Sequence, residues 1–235
     1  MNLPTWAGIS RTCRRSRAWT PWLGFKGRYG VLEHQKSRRR KGQVILYINA
    51  CVREQSRTKR IADKLIEKME GKVEQLDLVN VPFPVVDEAF LRKRDALIGS
   101  KEYDDPLFDL ARQFAGADEI VIAAPFWDLS FPAALKQYFE QINVLGITFL
   151  YTPDGLPKGL CRAKTLYYVM TAGGMYVPEE YGFGYVRALA QNFYGIEDVE
   201  LIQAAGLDIA GADTEGMIRE CLDTMMLPEK AEKGF

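Results

Sequence analysis

Among 235 residues there is one histidine, His34, and it lies ahead of every segment with a regular pattern. A Ser-His-Asp or Cys-His nucleophile needs an imidazole to take the proton, so neither fits the patterned part of the chain. A histidine-built metal site is excluded on the same ground, and no metal is expected. Cysteine is sparse as well. Cys13, Cys51, Cys161 and Cys221 form no CxxC pair, and their spacing suits neither zinc nor a disulfide framework. They read as reduced thiols of a cytoplasmic protein. No apolar run approaches the ~20 residues a membrane-spanning helix needs. Both familiar glycine-rich phosphate loops are missing: there is no GxGxxG and no GxxxxGK followed by Ser or Thr.

The formal net charge of zero hides an asymmetry. Residues 1–42 carry 11 Lys and Arg against one acid, Glu33, and the remainder carries 20 basic and 30 acidic residues. An acidic body repels phosphate backbones, so nucleic acid is not an expected partner. The first 42 residues hold three of the four tryptophans but neither a helical nor a strand period. They are expected to be a basic, disordered extension, either transit-like or translated from an early start, with the second reading preferred. Residues 43–235 are expected to form one domain.

From residue 43 the pattern becomes regular. "QVILYIN", "DEIVIAA" and "KTLYYVM" are near-continuous apolar runs, the mark of strands buried on both faces. "KVEQLDL" alternates and reads as a strand nearer an edge, and "DVELIQAAGL" reads as a fifth strand. Helical periods lie between them, at 57–69, in "DPLFDLARQFAGA", "FPAALKQYFEQI" and "YVRALAQNFYG", with a closing helix in "TEGMIRECLDTMM". In the third of these, Phe131, Tyr138 and Phe139 suggest more apolar surface than one sheet face requires. Strands alternating with helices imply an α/β fold, a five-stranded parallel sheet with helices on both faces.

Ligands of such sheets sit beyond the carboxyl ends of the strands. Three loops fall there: "ACVREQSRT", "PFWDLSF" and "TAGGMY". The first opens a helix with Ser56, Arg57 and Thr58 and has no glycine. A single phosphate needs no glycine wrap; a helix N-terminus, hydroxyls and a guanidinium suffice. An ordinary serine-capped helix would look the same. The second places Pro125, Phe126, Trp127, Asp128 and Leu129 at a strand end, where aromatics suit a flat ring or pack under the next helix. The third offers Thr171, Ala172, Gly173 and Gly174, where glycine permits close approach or positive φ, or makes a plain turn. Together they describe a flavin mononucleotide site.

The same segments carry a resemblance. "AAPFWDLSFPAALKQYFEQINVLGITFLYTPDGLPKGLCRAKTLYYVMTAGG" is similar to the FMN-dependent NAD(P)H oxidoreductases of flavodoxin-like fold, the quinone reductases and NADH-azoreductases. The resemblance covers about residues 43–225 and implies strand order 2-1-3-4-5, a homodimer, NADH or NADPH as co-substrate and a small-molecule electron acceptor. It implies that Ser56, Arg57 and Thr58 hold the FMN phosphate, that Phe126, Trp127, Asp128 and Leu129 line the ring and ribityl chain, and that Thr171, Ala172, Gly173 and Gly174 meet the pyrimidine. This chain departs from the family pattern at Ala50, in Phe-Trp-Asp at 126–128 and in the TAGG loop, which puts azo-dye specificity in doubt.

With no side-chain nucleophile available, the cofactor is expected to carry the chemistry and the protein to orient it. Backbone N–H groups near Gly173 and Gly174 would stabilise the reduced ring, and Tyr176 would donate to a quinone oxygen. Three rivals stand beside this reading: a one-electron carrier, a non-enzymatic binding protein and a flavin-free dehydrogenase. The segment "GITFLYTPDGLPKGL" argues against the carrier, because it would add walls to a pocket or a dimer contact.

Overall fold

The computed structural model describes residues 42–224; all but the last residue of the extension expected over 1–42, Cys13 and His34 included, lies outside the described residues. Among the described residues there are seven strands: β1 Val44–Asn49, β2 Lys72–Asp77, β3 Glu119–Ala123, β4 Phe149–Tyr151, β5 Pro157–Gly159, β6 Thr165–Thr171 and β7 Asp198–Ala204. Six α-helices accompany them: α1 Arg57–Lys68, α2 Glu88–Ser100, α3 Asp109–Gly116, α4 Ala133–Ile142, α5 Phe183–Leu189 and α6 Thr214–Asp223. Five strands form one parallel sheet in the order β2-β1-β3-β6-β7, which is the expected 2-1-3-4-5 order.

Strand alternation divides the core. Ile45 and Tyr47 on β1 share one cluster with Val121, Val169 and the α1 residues Ile61, Ala62 and Leu65. Leu46 and Ile48 face the other way, into a cluster with Ile120, Leu166, Tyr168 and the α4 residues Leu135, Tyr138 and Phe139. Successive side chains of a strand point to opposite faces, so both faces of β1 must be apolar, which is why its sequence is continuous rather than alternating. β2 pairs only with β1 and carries no fully buried residue, as its alternating sequence suggests.

Three features differ from the sequence-based expectations. The aromatic side chains of α4 are not surplus: Tyr138 and Phe139 are completely buried within the chain's own core. The segment 146–160 contributes the β4–β5 hairpin, paired Phe149 to Gly159 and Tyr151 to Pro157. It backs onto the end of the α5 segment so closely that a Cβ on Gly159 would lie 2.1 Å from the Tyr194 carbonyl carbon. The expected single helix "YVRALAQNFYG" is α5 followed by a π-helical turn at Ala190–Tyr194, closed by Gly195 at φ 73°. The proline-rich loop after β2 leads into α2, which has no buried residue.

All five strands of the sheet run the same way, so Asn49, Ala123, Thr171 and Ala204 end at one edge. The loops that follow them converge there.

Candidate functional site

The loop after β1 leads into α1 through Ser56, whose hydroxyl accepts the Lys59 amide at 3.3 Å. Such a cap is worth about 1 kcal/mol. The Arg57 and Thr58 amides open the helix and have no acceptor within it, leaving two donors at the positive end of the helix dipole. Thr58 is buried, and its hydroxyl lies 2.7 Å from the Thr171 hydroxyl at the end of β6. Arg57 reaches across to the loop after β7, where it donates to the Leu207 carbonyl at 3.0 Å and to Asp208 at 2.7 Å. Arg53 is exposed at the same end, and its side chain makes no hydrogen bond or ion pair among the described residues.

Under this loop sit two groups that fix it from below. The buried Asn49 amide donates to Asp77 at 2.7 Å, and its oxygen accepts the Cys51 amide at 3.0 Å. Hydrogen bonds from Asn49 and then Gln75 hold the Asp77 carboxyl below its ordinary pKa. Burial pushes the Cys51 thiol up to about 11, partly offset by Ser56 and Lys59. It is a neutral packing group that points at the Ala123 carbonyl, 3.7 Å away.

The loop after β3 turns sharply. Trp127 and Ser130 exchange both backbone hydrogen bonds, at 3.0 and 2.7 Å, around Asp128 at φ 52° and Leu129 at φ 63°. Two consecutive positive φ values without glycine are uncommon, and leucine has no local hydrogen bond to favour them. The turn leaves Trp127, Asp128 and Leu129 exposed and Phe126 half-buried.

The loop after β6 is zipped to the loop after β7. The carbonyls of Ala172, Gly173 and Gly174 accept the amides of Leu207, Asp208 and Gly206 at 3.2, 3.0 and 2.9 Å. In a planar trans peptide the N–H points opposite the C=O, so the amides of Gly173, Gly174 and Met175 face away from that loop. None of the three finds an acceptor among the described residues. Neither glycine has positive φ. A Cβ on Gly173 would meet the Asp208 carboxylate at 2.2 Å, whereas one on Gly174 would meet open space.

These loops enclose a cleft of about 650 Å³, counting its open mouth. Of the residues expected from sequence, Ser56, Arg57, Thr58, Pro125, Phe126, Trp127, Thr171 and Gly173 line it. Asp128, Leu129, Ala172 and Gly174 belong to the same loops but not to its lining. Tyr176 does not enter it: its side chain stands out from the loop after β6 and the residue is 75% exposed. The β4–β5 hairpin contributes no wall. Val52, Arg53, Gln55 and Asp208 line the cleft and were missed. Arg53 and Gln55 stood in the first loop and could have been found; Asp208 follows the last strand and had no local signal.

The arrangement offers two amides and a guanidinium for an anion, an aromatic shelf, and a row of outward amides for a ring edge bearing carbonyls. These residues suit a flavin monophosphate. No group of three or more His, Cys, Asp and Glu placed to hold a metal occurs among the described residues.

This sheet order, with its ligand cleft at the carboxyl edge, defines the flavodoxin-like class. The chain belongs to the Flavodoxin_2 family, described as flavodoxin-like fold, whose model matches residues 43–226. A protein of Clostridium perfringens named FMN-dependent NADH:quinone oxidoreductase is 35% identical over 188 residues, covering 76% of this chain and 94% of that protein. One of the same name from Lachnoclostridium phytofermentans is 38% identical over 185 residues, covering 75% and 92%. Among solved structures, an azoreductase of Bacillus anthracis superposes with a TM-score of 0.67 at 24% identity, over 77% of this chain and 95% of the other. That likeness bears on the fold.

Proposed function

We propose that the protein is an FMN-dependent NADH:quinone oxidoreductase. The reading is carried by one observation: a helix N-terminus with spare donors, the half-exposed Trp127 and Gly173 with its outward amide share one cleft. The names of its relatives, at 35–38% identity over most of both chains, support the same activity.

FMN, when bound, supplies two-electron chemistry, taking hydride from NADH and passing it to the acceptor. The amides of Arg57 and Thr58, the Ser56 hydroxyl and Arg53 bind its phosphate. Thr58 turns its hydroxyl onto Thr171, so its main-chain amide is the group assigned to the phosphate. Trp127 and Phe126 would pack against the ring, and Asp128 and Leu129 would shape the mouth. The amides of Gly173 and Gly174 would offer partial positive charge to the pyrimidine side of the ring. Tyr176, exposed and outside the cleft lining, would act only on the acceptor, as a donor to a quinone oxygen. The described residues include no histidine to move protons, so proton delivery falls to solvent at the open mouth.

A homodimer is proposed as well. Val52, Leu129, Met175, Tyr176 and Ile209 form an exposed apolar collar at the edge where the cleft opens, a surface that a second copy would cover. Reduced Cys51, Cys161 and Cys221, all buried, support a cytoplasmic placement.

The test is reconstitution. The purified protein should bind one FMN per chain, in preference to riboflavin, and oxidise NADH when a small quinone is supplied. Ser56→Ala should weaken FMN by about five- to ten-fold and leave riboflavin unchanged. Equal affinity of the wild type for riboflavin and FMN would remove the phosphate assignment.

A further inference from the structure

The Arg57–Asp208 pair sits where an anion is expected to bind, yet half of the pair is itself an anion. Both residues line the cleft. An exposed ion pair is ordinarily worth little and placed by chance. This one is placed by three separate contacts. Arg57 is held by the Leu207 carbonyl at 3.0 Å as well as by Asp208 at 2.7 Å. The Asp208 amide is fixed to the Gly173 carbonyl at 3.0 Å. The Asp208 carboxylate lies against the bare Cα of Gly173, where any side chain would come within 2.2 Å of it. The first glycine of the TAGG loop thus makes room for a carboxylate of this chain.

We propose that Asp208 is an internal counter-anion to Arg57, competing with the phosphate of bound FMN for that guanidinium. The inference rests on the FMN reading above and adds to it a residue that sets how tightly the phosphorylated cofactor is held. A carboxylate beside a phosphate raises the free energy of the bound state by like-charge repulsion. It also engages the guanidinium that would otherwise neutralise the phosphate. Removing its charge leaves Arg57 still anchored on the Leu207 carbonyl and now uncompensated. Arg53, unpaired at the same end of the cleft, keeps some attraction for phosphate in the native chain.

The experiment compares FMN and riboflavin dissociation constants for the wild type, Asp208→Asn, Arg57→Leu and the double variant, at low and high ionic strength. Asp208→Asn should tighten FMN by about five-fold without changing riboflavin, and salt should shrink the gain. In the Arg57→Leu background the gain should vanish. An unchanged or lower preference for FMN over riboflavin in Asp208→Asn overturns the inference. A second arm uses inorganic phosphate alone and reads the shift in melting temperature of the cofactor-free chain, which should be larger for Asp208→Asn than for the wild type. A wild type that binds no FMN removes the functional reading, and the phosphate arm then decides the inference: equal shifts overturn it.

Discussion

The hydroxyls of Thr58 and Thr171 meet at 2.7 Å in the interior, tying the first turn of α1 to the last residue of β6. Both residues are buried, and each hydroxyl is the other's partner. Removing one leaves the other unsatisfied. Thr58→Val or Thr171→Val alone should therefore cost about 1–3 kcal/mol. The double Val variant should recover most of that loss, because two methyls replace a closed pair of hydroxyls. A double-mutant cycle by chemical denaturation checks this; additive losses would show that the two hydroxyls do not depend on each other.

Gly174 separates the fold from the ligand. A side chain there meets open space and needs no unusual backbone angle. Gly174→Val should change stability by no more than about 0.5 kcal/mol. It should weaken FMN and riboflavin alike, since the crowding falls on the ring side and not on the phosphate. Loss of FMN binding alone would place Gly174 at the phosphate end.

Much of this was legible in the sequence, and the exceptions have physical reasons. β1 and α1 declare themselves locally, through a continuous apolar run followed by a serine cap at Ser56. The three-residue strands β4 and β5 are too short to show a period. Apolar spacing alone did not separate α5 from the π-helical turn that follows it, since both bury residues on one side. Asp208 was invisible for another reason. Its partners Arg57 and Gly173 lie 151 and 35 positions away in sequence, and only the adjacency of β6 and β7 brings them together. The bulky face of α4 was misread because its cover, the aromatic rings of Phe114 and Tyr185, comes from α3 and α5.

Leu129 holds φ 63° with no glycine and no side-chain oxygen to ease it. A left-handed backbone costs an ordinary residue about 1–2 kcal/mol. Leu129→Gly should therefore stabilise the chain by about 1 kcal/mol, less a part lost to the unfolded state. In a domain of this size that is a rise of roughly 2–4 °C in melting temperature. A fall would show that the exposed leucine contributes packing that outweighs its strain.

Two buried thiols give the fold an alkaline limit. Burial raises Cys51 to about 11 and Cys161 to about 12. An unfolded thiol ionises near 8.5–9, so above that pH the unfolded state releases protons that the native state keeps. The stabilisation is fully present below about pH 8.5 and is lost as pH rises through 11 to 12. Cys51→Ala should flatten part of the fall between pH 9 and 11 while costing stability at pH 7 through the lost packing. Denaturant midpoints across that range check it, and the same burial predicts slow alkylation of Cys51 at pH 7.5.

Trp127 and Gly173 line one open cleft, so FMN held there would be expected to offer a single ring face to both substrates. NADH and the acceptor would then use the same face in turn. The donor must leave before the acceptor enters, so initial-rate plots at several acceptor concentrations should be parallel, the mark of a substituted-enzyme sequence. FMN, when bound, would supply the two-electron carrier between the half-reactions. In the absence of acceptor, one NADH should reduce one bound FMN, a stoichiometry read from the loss of flavin absorbance. Trp127→Ala should slow both half-reactions together, because both substrates stack over the surface it supports. A ternary complex, seen as intersecting lines, would require two separate faces and would contradict the single-cleft geometry.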